Sequence, residues 1–309
     1  IIKNKLQSPE MDIECIEQLR FHGIQAERDR GHRSFKPKSA RSSRFTCLEL
    51  AEKIKNQNDI LFAGRSDGLI VYWKLQERNM YGGSTEKERK EEILISENGH
   101  KGTVTCLNYS SKGMLLSCSA DSTIKVWDPF VFNQERCIQT LHGHEGTVTA
   151  VVQSQTQALV SASADGTVRV WRPRPGRERL RAPFFEQARA FDLQGAWATA
   201  AALYGGEDWT AYVGDSEGSV TLLNQARTNS RRQKEVRLWK KWQNVHRLGI
   251  SQIQAVPEQN FLLSVSFDCS CRVMDARTGQ LFVAIEPRGS GGGGAPSRPT
   301  GACWDRRRE

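Results

Sequence analysis

Gly99-His100-Lys101-Gly102-Thr103-Val104-Thr105-Cys106-Leu107 and Gly143-His144-Glu145-Gly146-Thr147-Val148-Thr149-Ala150-Val151 are two copies of one unit. Each copy continues in step. Leu115-Leu116-Ser117-Cys118-Ser119-Ala120-Asp121 leads to Ile124-Lys125-Val126-Trp127, and Leu159-Val160-Ser161-Ala162-Ser163-Ala164-Asp165 leads to Val168-Arg169-Val170-Trp171. His100 and His144, Asp121 and Asp165, and Trp127 and Trp171 all share one offset of 44 positions. Within each copy, short runs rich in Val, Ile and Leu alternate with Gly, Asp and Ser. That pattern predicts strands joined by tight turns. A fixed period of about 40–45 residues, with Gly-His early and Trp late, describes one small sheet that is stable only beside its copies.

On these residues the chain resembles the WD40 repeat family. The fold that this implies is an all-β propeller of four-stranded antiparallel blades. Aligning the rest of the chain to the two clear copies gives about five blades, near 45–98, 99–142, 143–187, 188–245 and 246–289. The first keeps Asp67 and Trp73 at the spacing of Asp121 and Trp127, with Arg41 at the His position and Ala63 at the Ser position. The fourth is degenerate: Ala198 to Tyr204 as inner strand, Glu217 at the Asp position and Leu223 at the Trp position. The fifth keeps His246, Ser264 and Asp268, with Met274 in place of Trp. Residues 1–44 form a basic extension, helix-like over Met11 to Phe21. Residues 290–309 read as a Gly-rich linker and the opening of a sixth blade, so the chain reads as a piece of a longer propeller.

The recurrence of His, Ser and Asp bears on catalysis. An enzyme needs one triad, whereas here the trio returns blade after blade. The resemblance implies a structural relay instead: His100-Ser117-Asp121-Trp127, His144-Ser161-Asp165-Trp171, and His246-Ser264-Asp268 without its Trp. The chemistry is consistent with this, since an indole N–H only donates, a hydroxyl donates and accepts, and a carboxylate only accepts. No glycine-rich phosphate loop, His-Glu-x-x-His pair or nucleophile elbow is present, and neither an enzyme nor a cofactor or metal is expected. Cys269-Ser270-Cys271 has strand spacing with both thiols on one side, but no second pair accompanies it, so packing is expected.

The eight Cys follow no disulfide framework, and Cys47, Cys106, Cys118 and Cys137 occupy strand positions, which suits a reducing interior: cytoplasm first, nucleus or cilium as alternatives. No apolar run approaches the roughly 20 residues that span a bilayer, and no membrane partner is expected. A net charge of +9 favours acidic partners. It gathers in two connections that follow Trp-position strands of successive blades: Arg172, Arg174, Arg177, Arg179 and Arg181, then Arg227, Arg231, Arg232, Lys234 and Arg237. Arginine's planar fork pairs well with carboxylates and phosphates. The expected function is a non-catalytic scaffold that binds other proteins, through acidic or phosphorylated segments, with nucleic acid second. The alternatives are a ubiquitin-ligase substrate receptor, suggested by Met274-Asp275-Ala276-Arg277, an RNA- or ribosome-associated protein, and a ciliary or cytoskeletal scaffold.

Overall fold

The structure is a computed structural model, and it describes residues 43–51, 59–75, 92–94, 99–110, 112–130, 136–174, 184–227 and 234–286. The basic extension, the Gly-rich linker and the expected sixth blade lie outside these residues.

Five four-stranded antiparallel sheets follow one another along the chain. The first holds β1 (Phe45–Ala51), β2 (Asp59–Arg65), β3 (Ile70–Leu75) and β4 (Glu92–Ile93). The second holds β5 (Val104–Tyr109), β6 (Leu115–Ser119), β7 (Ile124–Trp127) and β8 (Cys137–Leu141); the third β9 (Val148–Gln153), β10 (Leu159–Ser163), β11 (Thr167–Pro173) and β12 (Phe185–Asp192). The fourth holds β13 (Ala198–Tyr204), β14 (Thr210–Asp215), β15 (Val220–Arg227) and β16 (Lys234–Trp242), and the fifth β17 (Ile250–Val256), β18 (Phe261–Ser266), β19 (Cys271–Asp275) and β20 (Leu281–Ile285). A single turn of 3₁₀ helix, Pro257–Gln259, links β17 to β18. The inner strands β1, β5, β9, β13 and β17 pack in that order, each beside the next, as in a propeller.

The cores lie between blades rather than within them. Phe62 and Tyr72 of the first blade pack with Val104, Leu115 and Trp127 of the second. Leu116 and Val126 of the second meet Leu159 and Trp171 of the third. Val160 and Val170 meet Trp209, Ala211 and Leu223 of the fourth, and Tyr212 and Leu222 meet Ile253, Leu262 and Met274 of the fifth. A sheet covered on both faces has no reason to alternate polar and apolar residues. Hence β6 (Leu-Leu-Ser-Cys-Ser) and β10 (Leu-Val-Ser-Ala-Ser) are buried at every position.

Two repeated devices fix the blades to one another. The second residue of the first three inner strands is Thr, and its hydroxyl donates to the carbonyl that opens the next inner strand: Thr46 to Val104 at 2.5 Å, Thr105 to Val148, and Thr149 to Ala198 at 2.8 Å. The turn between the second and third strands of every blade contains a left-handed residue: Gly68, Ser122, Gly166, Gly218 and Cys269. At Gly68 an added Cβ would lie 2.5 Å from the His100 carbonyl oxygen, and at Gly218 2.3 Å from that of His246. At these two turns the chain runs against the backbone of the next blade, and only glycine fits.

Some boundaries differ from the sequence reading. The outer strand of the third blade runs to Asp192, past the expected blade end at 187, because β12 pairs with β11 along its whole length. Much of the basic stretch from Asn224 to Arg237, read as a loop, is strand: β15 and β16 pair from Val220↔Trp242 to Arg227↔Lys234. The closing strand of the first blade is the short Glu92–Ile93. Cys269 is not on the strand of Cys271, since its φ of 67° places it in the turn before β19, and the pair does not share a strand face. Among the described residues, no cluster of His, Cys, Asp or Glu could hold a metal ion, and no helix is long and apolar enough to cross a membrane.

Candidate functional site

The His-Ser-Asp-Trp sets come together in the second and third blades. Trp127 Nε1 donates to Ser117 Oγ at 2.8 Å, Ser117 Oγ lies 2.6 Å from His100 Nε2, and His100 Nδ1 lies 3.0 Å from Asp121 Oδ2. The third blade repeats this with Trp171 to Ser161 at 2.9 Å, Ser161 to His144 at 2.8 Å and His144 to Asp165 at 2.8 Å. The indole can only donate and the carboxylate only accept, so Trp donates to Ser and His Nδ1–H to Asp; in the neutral imidazole, the form that burial favours, Nε2 accepts the Ser proton. Burial also pushes the pKa values of His100 and His144 down, against the pull of their Asp partners. Burial opposes ionisation of Asp121, but the Thr123 hydroxyl, the Lys101 amide and His100 outweigh it and bring its pKa to about 2. Asp165 is lowered in the same way by Thr167, the Glu145 amide and His144. A Ser whose proton points at His and whose lone pair is taken by Trp is a fully occupied link in the core.

The other blades depart from this. In the fifth, His246 Nε2 lies 2.8 Å from Ser264 Oγ, but its Nδ1 reaches Ser270 Oγ at 2.8 Å, while Asp268 stands off at 3.5 Å and holds Ser270. The expected His246–Asp268 bond is thus mediated by Ser270, a residue to which the sequence reading gives no role. In the first, Asp67 pairs with Arg65 at 2.7 Å, and Trp73 is buried against Phe45; Arg41 lies outside the described residues. In the fourth, Glu217 holds the Asp position, yet the residue that closes the turn is Asp215. Its Oδ1 accepts from the Glu217 and Ser219 amides at 3.0 and 2.8 Å, and its Oδ2 lies 3.1 Å from Lys241 Nζ.

The described ends of the two basic stretches, Arg172 at the end of β11 and Arg227 and Lys234 at the facing ends of β15 and β16, lie at the ends of these strands away from the β10–β11 and β14–β15 turns. Arg172 and Pro173 of the third blade and Gln225, Glu235 and Val236 of the fourth line one cleft of about 680 Å³, with Ala158 and Val170 also in its wall. Arg189 crosses from β12 to β16, where it donates to the Val236 carbonyl at 3.1 Å and pairs with Glu235, which also binds Arg237. Arg174 pairs with Glu186 at 3.1 Å and is 60% exposed; Arg237 is 61% exposed. Of the other expected partner-binding residues, Arg227 and Lys234 are paired positions at the hairpin end of β15 and β16, and Arg177, Arg179, Arg181, Arg231 and Arg232 lie outside the described residues. Sequence reasoning misses Arg189 because it sits in an outer strand rather than in a charge run. Asp275, in the stretch resembling an adaptor contact, folds back on its own turn and accepts from the Arg277 and Thr278 amides.

Comparison with known proteins fits this architecture. The family described as "WD domain, G-beta repeat" matches residues 92–128 and 135–172. Each match takes its first strand from one blade and the next three from the following blade, so a sequence repeat ties two blades together. Zinc finger CCCH domain-containing protein 62 of Arabidopsis thaliana is 42% identical over 85 residues, 27% of this chain and 17% of that protein. Zinc finger CCCH domain-containing protein 59, from the same plant, is 38% identical over 84 residues, 27% and 16% of the two chains. Type II inositol polyphosphate 5-phosphatase 14, also from Arabidopsis thaliana, is 32% identical over 82 residues, 26% and 7% of the two chains. The chain thus spans less than a fifth of the length of these relatives. The two matched repeats, together with five four-stranded antiparallel blades among the described residues, support a WD40 repeat propeller.

Proposed function

We propose that the chain is a non-catalytic scaffold that recruits acidic or phosphorylated protein segments through the basic cleft between its third and fourth blades. WD40 propellers are in general protein-interaction scaffolds, and the choice of surface is our own reading. The observation that carries it is the cleft itself: Arg172 and Arg189 of the third blade and Glu235 of the fourth line it, and Glu235 is paired with both Arg189 and the exposed Arg237. Arg172 and Pro173 belong to the basic stretch 172–183 of the sequence, and Gln225, Glu235 and Val236 to the basic stretch 224–237. The His-Ser-Asp sets are assigned a structural role, because each hydroxyl is already engaged on both sides and the sets recur in successive blades.

The test is co-purification of partners with the intact chain at low and high salt, beside a variant carrying Arg174→Glu, Arg179→Glu, Arg231→Glu and Arg232→Glu. Loss of the same partners with salt and in the variant, at unchanged thermal unfolding, is the expected result. Partners retained at unchanged affinity would move the binding surface to the other rim, and recovery of nucleic acid alone would replace the protein reading.

A further inference from the structure

The cleft between the third and fourth blades lies where two side chains are small and other blades carry larger ones. In the second to fifth blades the outer strand holds one extra residue opposite the Trp position of the third strand. The partners step from Val126↔Gln139 to Trp127↔Cys137, from Val170↔Arg189 to Trp171↔Gln187, from Leu222↔Lys240 to Leu223↔Leu238, and from Val273↔Val283 to Met274↔Leu281. The residue passed over is Ile138, Ala188, Trp239 and Phe282 in turn. Such a bulge re-aims its side chain. The register aligns a second position, the residue before Leu115, Leu159, Ala211 and Leu262, which all stand opposite the Trp position. It is Met114, Ala158, Thr210 and Phe261. In the fifth blade the two positions meet, with the rings of Phe261 and Phe282 5.3 Å apart and edge to face. In the second, Met114 and Ile138 both pack into the core shared with the third blade. The fourth has Thr210 and the half-exposed Trp239. In the third both are alanine, and Ala158 and Ala188 line the cleft of about 680 Å³.

We infer that this cleft seats one large apolar side chain of an acidic peptide, Phe or another of its size, in the space that the fifth blade fills with Phe261 and Phe282 and the second with Met114 and Ile138. The inference deepens the proposed function and rests on it. Ala188 is exposed, so the seat opens to solvent, and the half-buried Pro173 stands beside it. Val170 and Val236 are buried behind these residues, which keeps the base of the seat apolar. A cavity of this size is within the range of ligand pockets, about 300–1,000 Å³. Thr156 and Arg189 supply part of the polar lining. The rim selects the flanks. Glu235 is shared by Arg189 and Arg237, which leaves one positive charge, so acidic residues beside the anchor are favoured there.

The experiment uses the full chain and two capped pentapeptides, Asp-Asp-Phe-Asp-Asp and Asp-Asp-Ser-Asp-Asp, with affinities read by calorimetric titration. The Phe peptide should bind at least about tenfold more tightly than the Ser peptide, as burial of one aromatic side chain implies. Ala188→Phe fills the seat from within, as Phe282 does in the fifth blade, and should bring the two peptides to equal affinity at unchanged Tm. Ala188→Ile, the residue of the second blade, should do the same and serves if the Phe variant fails to fold. Arg237→Glu should weaken both peptides. Equal binding of the two peptides to the unaltered chain, still lost in Arg237→Glu, overturns the anchor and leaves the basic surface standing. A preference for the Phe peptide that survives in the filled variants overturns the seat. Failure of both peptides to bind overturns the surface as well.

Discussion

The third and fourth blades have the same four strands in the same order and pack against each other, yet they close their turns by opposite chemistry. In the third, a neutral chain from Trp171 through Ser161 and His144 ends on Asp165, and every member has a partner. In the fourth, Val213 stands opposite Thr221 where Ser161 stands opposite Arg169, and Leu223 takes the place of Trp171. The indole volume comes instead from Trp209, wholly buried beside Leu223. The turn is then held by Asp215, 0% exposed, against Lys241, whose side chain is 28% exposed. This charge contact lacks the alignment of a good hydrogen bond at Oδ2, so the carboxylate rests on two backbone amides and a partly hydrated ammonium. A blade therefore requires a closed turn and a filled core, and does not require one particular set of residues to supply them.

The largest effect is expected where the charge is buried. Lys241→Met should strand the Asp215 carboxylate and cost about 2–4 kcal/mol in chemical unfolding, toward the lower end because Lys241 is partly hydrated. A neutral result would mean that the two amides alone sustain the carboxylate, and the contrast between the blades would shrink to one of packing. Next comes Asp165→Ala. It removes the acceptor of His144, the Glu145 amide and Thr167, and should cost about 1–3 kcal/mol with no dependence on salt. An unchanged midpoint would show that the third blade does not depend on its relay.

Acid should then separate the two blades. The pKa of His144 is lowered from 6.5 and that of Asp165 from 3.8, so in both cases the unfolded chain takes up the proton first. Stability is therefore full above pH 6.5 and declines as pH falls, first through the His step and again below 3.8, with a slope of at most about 1.4 kcal/mol per pH unit per group. His144→Gln should flatten the decline between pH 7 and 5, measured as unfolding midpoint against pH. An unaltered slope would assign acid sensitivity to other groups. The smallest expected effect is a gain. Ser122 holds a left-handed φ of 65° at the turn where Gly166 holds 80°, and Ser122→Gly should stabilise by about 0.5–1 kcal/mol, read as a rise in Tm.

The residues spaced 44 apart announce the second and third blades because there each side chain does the same thing twice, with Thr in the inner strand, Ser and His in the relay, Asp in the turn and Trp in the core. The Thr residues are visible in the alignment, but not that their hydroxyls reach the next blade, since the partner is a backbone carbonyl that any residue carries. Where a different residue fills the role, the pattern weakens. Asp215 sits two positions before Glu217, and Lys241 comes from a stretch whose lysines are indistinguishable by composition from solvated ones. Similarly, Ser270 enters the fifth relay through a turn geometry that no spacing rule encodes.

By itself, then, the sequence determined the unit: four short strands, their turns, and the residue types that make such a unit worth repeating, because these depend on local propensity and on a fixed period. The tertiary structure decided what lies between units. The cores shared by successive blades, the arginine of β12 that binds β16, and the cleft lined from both the third and the fourth blade all depend on packing one sheet face against the next. Arg189 and Val236, 47 positions apart, meet there, and no local rule of the chain states their distance.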